Sequence, residues 1–209
     1  MLSLSLRRFS TFAFAILICA SAWAADLESG KRAYDQKDYA TAFKEFAPLA
    51  DQGQAEAQLY LGKMYMMGQG VLKDTDEAIR WFKASAYKGN ADAQFFLGSI
   101  YLLPKKDIAE GLKWLRLSAE QGNKDGQYLL GKAYIQGTEN LARDPVQADM
   151  WLRLAAKHNL EFYGNELLAA EGQMSAAEIA KGKALAEAWK PKHGLRLDEK
   201  PHIGGKSGS

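Results

Sequence analysis

Histidines, cysteines, paired carboxylates and closely spaced glycines are the residues through which this chain could do chemistry. It has three histidines, His158, His193 and His202, and one cysteine, Cys19. A protein zinc site draws its histidine and cysteine ligands from short, recurring spacings. These histidines fit no such pattern, so no metal site is expected. Asp74 and Asp76 could in principle share a proton, as paired carboxylates do in acid–base catalysis. They stand, however, just before the apolar-periodic stretch "EAIRWF" (77–82), where an aspartate caps a helix. The "GQG" at 68–70 lacks the longer glycine loop and Lys-Ser/Thr ending of a phosphate cradle. The chain also lacks H-E-x-x-H, a nucleophile elbow and a dinucleotide fingerprint. No catalytic residue, no cofactor and no enzymatic activity are expected.

What must position side chains in such a chain is helix. Of 209 residues 47% are hydrophobic and 25% charged, with 19 glycines and only 5 prolines. That is the composition of a globular protein whose helices are punctuated by glycine. The first residues have another purpose. Arg7 and Arg8, the apolar "FAFAILICA" (12–20) and the small-residue "AWA" (22–24) make a secretory signal peptide over 1–24, cut after Ala24. The alternative, an uncleaved anchor, would need an apolar stretch of about 20 residues. Ile18 stands where a lipoprotein signal wants a small residue before Cys19.

Cleavage changes the balance. The whole chain has 27 basic and 25 acidic residues. Without Arg7 and Arg8 the numbers are equal, so no cationic surplus remains to hold nucleic acid. Cys19 leaves as well, and with it any disulfide. An exported protein, periplasmic or alternatively secreted, is expected, with no transmembrane span once the signal is removed.

"QLYLGKMY" (58–65) returns as "QFFLGSIY" (94–101) and "QYLLGKAY" (127–134). Gly62, Gly98 and Gly131 come into register, as do Tyr65, Tyr101 and Tyr134. A second half recurs too, with Trp81, Trp114 and Trp151 aligned. Asp74, Asp107 and Asp144 each lie seven residues before the tryptophan, followed after three residues by Glu77, Glu110 and Gln147. That spacing predicts a capping box at the start of each second helix. Gly89, Gly122 and Asn159 are placed to end those helices in the left-handed conformation. A degenerate unit over 29–54 opens the array, with Gly30, Asp38 and Phe46 in the corresponding places. Each unit therefore reads helix A, loop, helix B, turn. One pair cannot bury its own apolar face, so successive pairs must stack. An interior glycine costs a helix about 1 kcal/mol relative to alanine. Gly62 is expected to recover that by letting helix B approach closely at Ala78.

"AEAQLYLGKMYMMGQGVLKDTDEAIRWFKASAYKGN" (55–90) resembles a Sel1-like repeat: A-x-A-Q, L-G-x-x-Y, G-x-G-V-x-x-D, A-x-x-W, A-x-x-G-N. The resemblance extends over 25–160, as a degenerate unit (29–54) and copies at 55–90, 91–123 and 124–160. The second copy has "LLPKKDI" in place of the G-x-G-V loop, and the third keeps only Gly137 of it. The resemblance implies an all-α, tetratricopeptide-like αα-hairpin solenoid, a right-handed superhelix, and an adaptor that holds other proteins. The hydrolase-like members that the resemblance also covers are cysteine-rich, unlike the mature chain.

Beyond 160 the pattern fades. Residues 161–190 read as C-terminal helices closing the array. Ser175 and Glu178 form a capping box, and Ile179, Leu185 and Trp189 lie along one stripe. Residues 191–209 are polar and glycine-rich and are expected to be disordered. The region 181–206 has seven Lys/Arg against three Asp/Glu, and this basic C-terminal tail offers an alternative function, contact with cell-wall or membrane polymer.

In superhelices of this type helix A lines the concave face. Residues three before, one after and four after each glycine are then expected to line a partner groove: Leu59, Lys63 and Met66; Phe95, Ser99 and Leu102; Tyr128, Lys132 and Ile135. An apolar and aromatic strip with two lysines suits a partner helix or extended peptide.

Overall fold

The computed structural model describes residues 27–103 and 107–197. The expected signal peptide, His202 and the last part of the tail lie outside them. The chain divides into two compact units after Trp81.

The first unit holds α1 (27–35), α2 (Tyr39–Asp51), α3 (Ala55–Met67) and the first turns of α4 (Thr75–Ala86). Asp38 starts α2, its carboxylate accepting the Thr41 N–H at 3.2 Å. The chain turns into α3 at Gly53, whose φ of 90° is left-handed, a conformation that costs glycine little. Phe46, Leu49, Ala50, Ala57, Leu61, Met64 and Trp81 form the core, with the Phe46 ring stacked on Tyr60 at 4.6 Å.

The second unit holds α5 (Ala91–Leu102), α6 (Ile108–Glu120), α7 (Lys124–Gln136), α8 (Pro145–Ala156), α9 (Leu160–Glu171) and α10 (Ala176–Ala188). Here α5 pairs with α6 and α7 with α8, while α9 and α10 both pack against α8. Trp114, Leu97, Leu115, Leu130 and Leu152 are fully enclosed. The fold class is all-α with αα-hairpin repeats, and the described residues contain no strand beyond the isolated bridge Thr138–Leu141.

The expected helix starts are present, with half of each box. Asp74 accepts the Glu77 N–H, Asp107 that of Glu110, and Asp144 that of Gln147, at 3.0, 3.1 and 3.0 Å. The return bond belongs to Ser175–Glu178. Glu77 instead grips Arg80, and Glu110 accepts from the Trp114 indole at 2.9 Å. A further bond accompanies each cap. The N–H of Asp74, Asp107 and Asp144 donates to the carbonyl of Tyr65, Tyr101 and Tyr134 at 3.0, 2.8 and 3.0 Å. The three loops differ in sequence and length, yet each is closed by the same tyrosine–aspartate bond.

Of the in-register glycines, Gly98 and Gly131 face helix B as expected, with one refinement. A Cβ on Gly98 would lie 3.1 Å from the Gly111 carbonyl oxygen, the position that matches Ala78, but 2.6 Å from Leu115 Cγ. One on Gly131 would lie 2.8 Å from Leu152 Cγ, and one on Gly30 2.6 Å from the Phe46 ring. The glycine makes room chiefly for a large side chain four residues beyond the small one.

Three expectations are corrected. Asn159 does not end α8 in a left-handed turn: its φ is −158°, and it caps α9, accepting the Phe162 N–H at 3.1 Å. The α10 stripe is not Ile179 and Leu185, since Gly182 and Ala186 are its buried residues and Leu185 is exposed. Gly182 lies against the buried carboxylate of Asp149. Residues 191–197, expected to be disordered, form a strap along the second unit. The Lys192 N–H donates to Glu120 O at 2.8 Å, and its ammonium pairs with the Glu120 carboxylate at 3.0 Å. The Leu195 carbonyl accepts from Gln94 Nε2 at 2.7 Å, and its N–H donates to Gln121 Oε1 at 3.2 Å.

Candidate partner-binding face

Rotation about a helix explains where the nine expected groove residues lie. At 100° per residue, a position one beyond the glycine points 100° from it and a position three before points 60° from it. A position four beyond points only 40° away, still leaning towards helix B. Leu102 obeys this, since a Cβ on Gly111 of α6 would lie 2.9 Å from Leu102 Cγ. Ile135 packs on the cluster of Leu152, Tyr163, Leu167 and Ala170. Leu102 and Ile135 are therefore packing residues, half-buried within the array. Leu59 is 3% exposed and so is buried, not on a surface.

The remaining positions are accessible in part. In the first unit Lys63 and Met66 are half-buried, with the Lys63 ammonium 5.0 Å from the Tyr60 ring centre, and Met67 beside them is exposed. In the second unit Phe95, Ser99, Tyr128 and Lys132 are half-buried. The Ser99 hydroxyl is turned back on its own helix, donating to Phe95 O at 3.0 Å.

Lys132 is not an open cation. Its ammonium lies 3.6 Å from the Glu166 carboxylate of α9 and 5.4 Å from the Tyr128 ring centre. Glu166 also accepts from the Tyr128 hydroxyl at 3.5 Å. The charge expected there is thus matched within the array. Deeper down, Tyr163 donates to Asp125, and burial together with that bond pushes its phenol well above the ordinary range. What faces outward is aromatic: Tyr128 lies 6.4 Å from the exposed Phe162.

The repeat tryptophans and tyrosines are structural. Trp81, Trp114 and Trp151 are buried. Trp151 meets Trp189 edge-on at 6.2 Å, and the Tyr134 hydroxyl accepts from Arg116 at 3.0 Å. Among the described residues no cluster of His, Cys, Asp and Glu could hold a metal ion, and no helix is long and apolar enough to cross a membrane.

The sequence reading overlooked the repeated glutamine. Gln58, Gln94 and Gln127 are buried, and each Nε2 donates to the carbonyl eight residues earlier: Ala50, Ala86 and Ala119, at 3.0, 3.1 and 3.3 Å. Its recurrence beside the glycine octet was the available signal, since a buried amide must find partners.

Stacked hairpins tied turn to helix in this way define an all-α helical repeat protein. The Sel1 repeat model matches residues 55–90, 91–123 and 124–160, and the chain belongs to that family. Proteins of this family are typically protein-interaction scaffolds and generally non-catalytic. A Sel1 repeat protein from Oxalobacter formigenes is similar in structure, with 28% identity and a TM-score of 0.65 over 70% of this chain and 61% of its own. A protective antigen present in uropathogenic Escherichia coli strains, with an SLR fold, has 30% identity and a TM-score of 0.67 over 79% of this chain and 38% of its own. The chain thus spans less than two thirds of the length of either. No curated protein matches it.

Proposed function

We propose that the protein is an exported, non-enzymatic adaptor that holds a helix or extended segment of a partner protein against the outer row of its A helices. The observation that carries this reading is the aromatic exposure on successive A helices of the second unit. Phe95 and Tyr128 stay half-exposed, and Phe162 stands open beside Tyr128. Aromatic side chains supply large contact area at little entropic cost. Lysine charge contributes less than the sequence suggested, because Lys132 is matched by Glu166.

The test is affinity capture with the full chain from its own cells. One specific protein should be retained, and lost when Phe95→Asp and Phe162→Asp are combined, with the thermal midpoint preserved. Capture that survives both changes defeats the reading. Export is tested separately: the protein recovered from an envelope fraction should begin at Ala25 by N-terminal sequencing.

The polymer-binding alternative draws on Lys181, Lys183, Lys190 and Arg196, all exposed, while Lys192 is engaged by Glu120. Sedimentation with isolated wall material, compared between the full chain and one carrying Lys181→Glu, Lys183→Glu, Lys190→Glu and Arg196→Glu, separates the two readings.

A further inference from the structure

The strap of residues 191–197 is held to the second unit chiefly by its main chain. Leu195 is gripped on both sides: its N–H donates to Gln121 Oε1 at 3.2 Å, and its carbonyl accepts from Gln94 Nε2 at 2.7 Å. Three residues earlier the Lys192 N–H donates to the Glu120 carbonyl, and its ammonium pairs with the Glu120 carboxylate. Between them Gly194 has a φ of 67°, a left-handed conformation that favours glycine. It crosses the turn at Gly89, where a Cβ would lie 3.1 Å from the Gly194 backbone. The ledge therefore fits a short extended segment in the order lysine, any residue, glycine, apolar residue.

The ledge keeps its shape without the strap. Gln94 Nε2 also donates to Ala86 O at 3.1 Å, and Gln94 Oε1 accepts from Gln121 Nε2 at 2.7 Å. The two amides fix each other and offer the strap only the N–H and the acceptor site left over. This glutamine pair is particular to one hairpin, since the residues matching Gln121 are Lys88 and His158. The strap for its part is lightly held. Lys192, His193 and Gly194 are exposed and Leu195 is half-buried, and a segment that buries so little apolar surface opens at low cost.

We propose that the Gln94–Gln121 ledge is a docking site for an extended segment of a different protein, of the form lysine-x-glycine-apolar, and that the strap is its tethered competitor. Tethering gives the strap an effective concentration of about the mM order, so the ledge stays closed until a tighter segment displaces it. A second copy is a poor donor. The run from Trp189 to Leu195 spans about 20 Å at most, and the recipient's own Trp189 and Pro191 already lie over Gly122, next to Gln121. Nor does 198–209 repeat the order, because each of its glycines is followed by glycine, lysine or serine. No residue of the ledge belongs to the Phe95, Tyr128 and Phe162 row, so failure here leaves that reading standing.

The probe is a fluorescein-labelled peptide of residues 189–197, "WKPKHGLRL", titrated with the full chain and read by anisotropy. Gly194→Val in the chain removes the competitor, because a β-branched residue is strained at positive φ, while its side chain would meet no neighbour. That chain should bind the peptide at least tenfold more tightly than the parent. The gain should vanish when Gln121→Ala is added, and for a peptide with Leu195→Pro, which keeps the charge and loses the N–H. Lys192→Glu, which opposes Glu120, frees the ledge by a second route should Gly194→Val disturb the fold. Equal binding by the parent and both freed chains, no saturation below about 1 mM, or binding that survives Gln121→Ala overturns the proposal. So does concentration-dependent self-association of the parent that Gly194→Val abolishes, which would assign the ledge to a second copy.

Discussion

Gly98 of α5 and Leu115 of α6 occupy each other's space: a Cβ on the glycine would sit 2.6 Å from Leu115 Cγ, and Leu115 is fully buried with nowhere to retreat. Alanine at 98 should therefore lower stability even though it favours helix by about 1 kcal/mol. Overpacking of this kind costs about 1–3 kcal/mol. Gly164→Ala meets only a solvent-exposed leucine and should leave the melting midpoint unchanged or raise it. Thermal melts followed by circular dichroism decide the matter. A Gly98→Ala protein as stable as the parent would show that the glycine register has no packing role.

The glutamine tie makes a second expectation. Gln127 is 1% exposed and holds the Ala119 carbonyl at 3.3 Å. The Ala119 carbonyl keeps a second donor, the Gly122 N–H at 3.0 Å, so losing the glutamine costs the net worth of one hydrogen bond, about 0.5–1.5 kcal/mol. Gln127→Ala should destabilise by that order in chemical denaturation, whereas Lys124→Ala, on the exposed first turn of the same helix, should change little. Equal midpoints for the two variants would refute the tie.

The strap gives a prediction that stability measurements alone would miss. The Leu195 N–H is held by the Gln121 side chain and the Lys192 N–H by a backbone carbonyl of α6. Both amides should exchange more slowly than that of exposed His193 in native-state hydrogen exchange. Gln121→Ala should release protection at Leu195 and leave more of it at Lys192. If neither amide is protected in the parent, the strap is not a stable part of the second unit.

These residues show how far the sequence could be read. Cap chemistry is local, so Asp38, Asp74, Asp107 and Asp144 were legible from their distance to the next apolar run. The glycine octets were legible because triplication exposes what one copy hides. Leu59, Leu102 and Ile135 were misplaced because a partner face was drawn by spacing alone. Four residues of helix come back within 40° of the start, which returns a side chain to the hairpin contact rather than to open surface. Asn159 was read from its alignment with Gly89 and Gly122. A capping side chain and a left-handed turn both favour asparagine, and only the path of the following helix chooses between them. The strap escaped because its bonds join backbone to glutamine side chains more than a hundred positions away in one case, Gln94 to Leu195. Composition records none of that.

Asp149 is the residue least foreseeable from sequence, and it yields the last prediction. It stands in the register of Phe43, Ile79 and Leu112, where the array otherwise keeps an apolar side chain. Its carboxylate is fully buried beneath Gly182 of α10, and bonded twice to Arg153, at 2.8 and 3.1 Å. Arg153 also serves Glu171, so one guanidinium answers two carboxylates. Burial raises the Asp149 acid above its ordinary value, outweighing the arginine, and Glu171 adds to the rise. The sign follows directly. A group bound more tightly to its proton in the folded state contributes stability that is complete below the unfolded value and is lost as pH climbs through the folded one. The parent should therefore lose stability relative to Asp149→Asn as pH rises from about 3, below an unfolded aspartate near 3.9, to about 6. Thermal midpoints of the two proteins, compared across that range, test this. A difference that stays constant or moves the other way would mean that Arg153 fully offsets the burial of Asp149.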